Sequence, residues 1–116
     1  MRVTSSLWVG AFVRRCNGEG QSAVVVRRGA EEAGAIFIIL DKLDGVVDLY
    51  GPAPQSAFED RGSDRLFQKI AAGATQADVS VRLERERRFD PDVWVVAVED
   101  RAGRVLFETV ADDAPP

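Results

Sequence analysis

Residues 23–55 read AVVVRRGAEEAGAIFIILDKLDGVVDLYGPAPQ, and this stretch holds three short, largely β-branched runs, Ala23–Val26, Ala35–Leu40 and Val46–Tyr50. Turn-forming residues separate them: Gly29 to Gly34 after the first run and Asp44-Gly45 before the third. Runs of this length bounded by such residues are strands, and an Asp-Gly step between two apolar runs is a hairpin signal. The unit therefore predicts strands of one sheet, with the pair Arg27-Arg28 at the first corner and the rigid reversal Gly51-Pro52-Ala53-Pro54-Gln55 at the end.

Outward from this unit, Thr4, Ser5 and Ser6 offer caps for a helix reaching Asn17, stopped by Gly18-Glu19-Gly20. Leu7, Ala11 and Val13, with Trp8 and Phe12, supply its apolar face. On the other side, Leu66, Phe67 and Ile70 recur at three- and four-residue spacing, which predicts a short helix capped by Ser63 or Asp64 and ended by Gly73. Thr75 followed by Asp78 opens a further helix to Arg88, with Val79 and Leu83 inward and charges paired along its surface. Asp92–Glu99 and Val105–Val110 read as a closing hairpin around Ala102-Gly103. The predicted order is α-β-β-β-α-α-β-β. It describes a single α+β domain over residues 1–110, with about five mainly antiparallel strands and two to three helices on one face, and residues 111–116 form an acidic tail.

Composition bounds the function. A chain of 116 residues, 46% hydrophobic and 29% charged, has the size and balance of one globular domain. No apolar run approaches the roughly 20 residues that span a bilayer, and the N-terminal residues lack the apolar core of a signal peptide, so the expected location is the cytoplasm. There is no histidine, which excludes imidazole-based triads and histidine metal sites. The lone Cys16 can form no internal disulfide and falls within the first helix, where a small buried hydrophobe is the simpler role than a nucleophile. No cofactor and no metal are expected.

The net charge is −4, but residues 1–30 hold five arginines against Glu19 alone, a balance of +4 that leaves −8 on the remainder. The N-terminal quarter is therefore the candidate anion-facing surface.

Four segments carry a family resemblance: Leu7-Trp8-Val9 with Arg14-Arg15; Arg27 to Phe37; Asp48-Leu49-Tyr50-Gly51-Pro52-Ala53-Pro54-Gln55; and Arg82 to Glu86 with Phe89 to Trp94. In this order, and over nearly the whole chain, the sequence resembles the small bacterial proteins of the domain-of-unknown-function family numbered 1491. The resemblance implies a bacterial origin and no known activity, so it transfers no functional residue.

Three functions fit the residues. Arg14, Arg15, Arg27 and Arg28 would bind an anionic partner or nucleic acid if the two pairs converge, with Trp8 or Tyr50 stacking a base. An enzyme would gather Tyr50, Gln55, Glu31, Glu32 and Asp48 around the Gly51–Gln55 loop. The preferred reading is a non-catalytic interaction or accessory domain that uses an exposed edge strand, Ser22–Arg28 or Val105–Val110, toward a protein partner or a second copy of itself.

Overall fold

The computed structural model describes residues 3–54 and 65–110. Helix α1 spans Ser5–Gly18; Thr4 caps it, its hydroxyl accepting from the Leu7 amide at 3.2 Å. Strands β1 (Ser22–Arg27), β2 (Ile36–Asp41), β3 (Val47–Pro52) and β4 (Phe67–Ala74) follow, then helix α2 (Gln76–Phe89) and strand β5 (Trp94–Glu99). The strands form one sheet in the order β1-β5-β2-β3-β4. β2 runs parallel to β5, and the other three pairings are antiparallel.

The sheet is the middle of three layers. Along β2, Ile36, Ile38 and Leu40 join Val9, Phe12 and Cys16 of α1, whereas Phe37 and Ile39 join Val79 and Leu83 of α2. The alternation of side chains across a strand thus gives β2 to two cores at once. The helices therefore lie on opposite faces, not on the single face expected. β3 is likewise covered on both sides: Val47 and Leu49 face α2, while Asp48 and Tyr50 are buried on the α1 side.

Two elements differ from the sequence reading, so the observed order is α-β-β-β-β-α-β. The predicted helix through Leu66, Phe67 and Ile70 is β4, laid on the free side of β3 with Lys69 opposite Tyr50 and Phe67 opposite Pro52. A helix of so few residues is marginal on its own, and the backbone bonds offered by β3 outweigh a weak periodicity. The predicted caps Ser63 and Asp64 lie outside the described residues. The second difference is at Val105–Val110, which forms no hairpin with β5, because β1 and β2 already occupy both sides of that strand. Instead the segment reaches the far edge of the sheet, where the Phe67 amide donates to the Glu108 carbonyl and the Val110 amide to the Phe67 carbonyl. Phe107 there meets Phe12, Tyr50 and Phe67 edge-on.

The buried stripe of α1 is Ser5, Val9, Phe12 and Cys16, while Leu7 is 66% exposed. Ser5 is buried because its hydroxyl donates to the Gly34 carbonyl at 2.7 Å. Cys16 is fully buried, and loss of water pushes its thiol above the usual range, leaving it protonated at neutral pH. The expected tail, residues 111–116, lies outside the described residues. No helix is long and apolar enough to cross a membrane among the described residues.

Candidate functional site

Helix α2 is too weakly apolar to cover its whole side of the sheet: only Val79 is fully buried, with Leu83 partly so. Over β5 and β1 the cover thins to a groove of about 480 Å³, whose floor residues Ile39, Val93 and Val95 are themselves buried and whose rim is open. Its floor is Ile39, Val93, Val95 and Ala97, and its wall is the side of α2 that carries Gln76, Ser80, Leu83, Glu84 and Arg87. Val26 and Arg27 form the lip.

Register explains the lip. Val24 lies opposite Ala97 and Arg27 opposite Val95, which puts both on the α2 face, whereas Val25 lies opposite Val96 on the other. A bulge between Val25 and Arg27 adds Val26 to the α2 side. Val24 and Val26 are left 56% and 59% exposed beside the apolar floor.

The groove is electrically polarised along its length. At one end Arg87 donates to Glu84, and this bond chiefly holds the Glu84 carboxyl below the usual range, with Arg88 and Arg27 adding attraction. Arg27 enters the same end with its Nε buried and without a hydrogen-bond partner. Asp41 and Glu99, paired across β2 and β5, mark the other end.

The remaining candidates from the sequence are dispersed. α1 and β1 run antiparallel: Asn17 bonds to Ala23 at one end, while the Ser5 and Ser6 amides donate to the Glu32 and Glu31 carbonyls near the other. Arg14 and Arg15 therefore lie on the order of 15 Å along the helix from the end where Arg27 and Arg28 stand. Arg27 and Arg28 themselves diverge, since Arg28 stacks over the Trp94 ring at 5.0 Å on the α1 side. Arg15 donates to the Leu106 carbonyl and shares a smaller cavity with Trp8, which stacks on Phe12 at 4.9 Å. Tyr50 is buried against Phe107, with the Lys69 ammonium 5.7 Å from its ring. Gln55 lies outside the described residues.

The carboxylates sit in separate settings. Asp48 is buried in structural work, accepting from the Gly73 amide at 2.9 Å and facing Lys69 at 3.7 Å. Glu31 and Glu32 are exposed on the loop that caps α1 with its carbonyls. Among the described residues, no group of three or more Cys, Asp or Glu side chains is placed to hold a metal ion.

The sequence reading found Arg27 but not the groove. Its walls come from β1, β2, α2 and β5, and no local pattern announces that β1 pairs with a strand some seventy residues later. The available signal was the poverty of α2, whose two inward apolar residues cannot shield a five-stranded sheet.

A family model for proteins of unknown function, DUF1491, matches residues 3–108. The chain belongs to the DUF1491 family. Solved structures agree: the DUF1491 chain is 45% identical to protein Atu0922 from A. tumefaciens, known in solution, with a TM-score of 0.75 over 85% of this chain and 86% of that one. It is 30% identical to a DUF1491 protein from Caulobacter crescentus CB15 seen by crystallography, with a TM-score of 0.76 over 94% and 98% of the two chains. An NMR structure of a DUF1491 protein from the same organism gives 32% identity and a TM-score of 0.74 over 94% and 97%. No curated protein matches this DUF1491 chain.

Proposed function

We propose that this domain is a non-catalytic interaction module whose working surface is the groove between α2 and the β5–β1 half of the sheet, and that it takes up an apolar segment of a partner protein. The observation that carries this reading is the groove's apolar rim, where Val24 and Val26 stand open beside Ala97 above a floor of buried Val93 and Val95. Contiguous apolar surface of this kind marks interaction sites in soluble domains.

Recognition here works through side chains rather than by adding a strand along all of β1. The Asn17 side chain both donates to the Ala23 carbonyl and accepts from the Ala23 amide, at 3.2 and 3.0 Å, so it occupies the outer edge at that residue. The anion-binding alternative has less support, because its four arginines face different ways and the net charge is −4.

The test compares wild type with the double variant Val24→Lys/Val26→Lys in affinity capture from the native extract after nuclease treatment. Both sites are exposed, so the variant is expected to melt like wild type yet lose a stoichiometric protein partner. Capture of the same partner by the variant sinks the groove reading. In a parallel capture without nuclease, nucleic acid retained only with Arg14 and Arg15 intact would favour the anion-binding one.

A further inference from the structure

We infer that the segment received by the groove is an extended stretch of about five residues, apolar in its middle, with a carboxylate set against Arg27. This rests on the groove being the working surface. The length follows from the wall: Gln76 and Arg87 bound it on α2, about 16 Å apart at 1.5 Å per residue, which matches about five extended residues at ~3.3 Å each.

The carboxylate follows from an unmet donor. The Arg27 Nε is shielded from solvent and has no acceptor, and Arg27 enters no ion pair among the described residues. Burial of an unpaired donor is unfavourable, and a turn of the guanidinium that brings Nε out to a ligand's acceptor removes that cost at the moment of binding. The neighbouring cation does not compete, because Arg87 is already engaged by Glu84 through both Nε and a terminal nitrogen. A guanidinium with free donors is matched by a carboxylate in shape as well as charge.

The opposite end has the reverse character. Glu99 is exposed and makes no ion pair among the described residues, and Asp41 lies beside it on β2. A segment lying with its carboxylate at Arg27 presents its other end to these two acids, where a basic residue is favoured. Charge complementarity therefore orients the segment along α2, and the apolar floor between the ends selects its middle.

The experiment is a titration of the ¹⁵N-labelled full chain, followed by amide shifts, with two capped five-residue peptides. One reads lysine–valine–alanine–valine–glutamate, and the other ends in glutamine instead. The expected result is a shift of the amides of Arg27, Val95, Ala97 and the Ser80–Arg87 turns, with the glutamate peptide binding about tenfold or more tightly. Arg27→Gln should erase that preference, so that the variant binds the two peptides alike. Arg27→Lys, which keeps charge but lacks the Nε donor, should retain only part of it. Equal binding of both peptides in the groove would overturn the carboxylate and leave the groove reading standing. If neither peptide moves groove amides, both fall. Shifts of Val24–Arg27 that depend on protein concentration without peptide would show a second copy there and overturn the inference.

Discussion

Gly29 and Gly34 show how single residues hold this fold together. A methyl group on Gly29 would lie 2.2 Å from the Asp92 carbonyl oxygen and 2.6 Å from the Trp94 ring, and one on Gly34 would lie 2.3 Å from the same oxygen. The loop must touch β5 this closely because the Ala30 amide donates to Asp92 and the Trp94 indole donates to the Ala30 carbonyl at 2.8 Å. Backbone cannot yield as a side-chain tip can, so Gly29→Ala and Gly34→Ala should each cost about 2 kcal/mol or more in urea unfolding. Wild-type stability in both variants would show that the loop is not pressed on β5. Asp100 holds a second junction: it accepts from Gln21 at 2.9 Å and from the Arg104 backbone and side chain, and these bonds, Gln21 first, hold its carboxyl far below the ordinary value of 3.8. A depressed carboxylate contributes stability that is whole above its unfolded value and is lost as pH falls through the folded one. Wild type should therefore lose stability below about pH 3.8, while Asp100→Asn starts less stable at pH 7 and declines more shallowly; parallel acid profiles would refute this role.

At the scale of elements, local chemistry was legible and pairing was not. The Thr75 cap, the Asp-Gly turn and the apolar run of β2 appear where the sequence puts them, since each depends on neighbours within a few residues; the Thr75 hydroxyl accepts from the Asp78 amide at 3.0 Å. β4 was hidden because Leu66, Phe67 and Ile70 suit either period, and only the free side of β3 decides between them. The groove was hidden for the same reason, as its Arg27 is brought to Val95 by a pairing remote in sequence. β1 is an edge strand, as the sequence reading expects, and at Ala23 alone Asn17 takes the place of a neighbouring strand. Asn17→Ala should speed deuterium exchange at the Ala23 amide, cost about 1–2 kcal/mol and raise self-association at high concentration. An Ala23 amide equally protected in the variant would mean that the Asn17 bonds do not govern this edge.

At the scale of the whole molecule, two cores share the central strands β2, β3 and β5. β2 sends Ile36, Ile38 and Leu40 to the α1 side and Phe37 and Ile39 to the α2 side, so neither core survives withdrawal of β2. α2 has 14 residues, too few for an isolated helix to be stable in water, and its folding is tied to the sheet beneath it. Unfolding should therefore be a single cooperative transition. The two tryptophans make the test sharp, because Trp8 and Trp94 both belong to the α1-side core, whereas far-ultraviolet circular dichroism reads both helices. Fluorescence and dichroism should give the same urea midpoint and slope. Helix signal lost ahead of fluorescence would show α2 lifting off while the α1 side stays packed, and the groove wall would then be a separately opening layer.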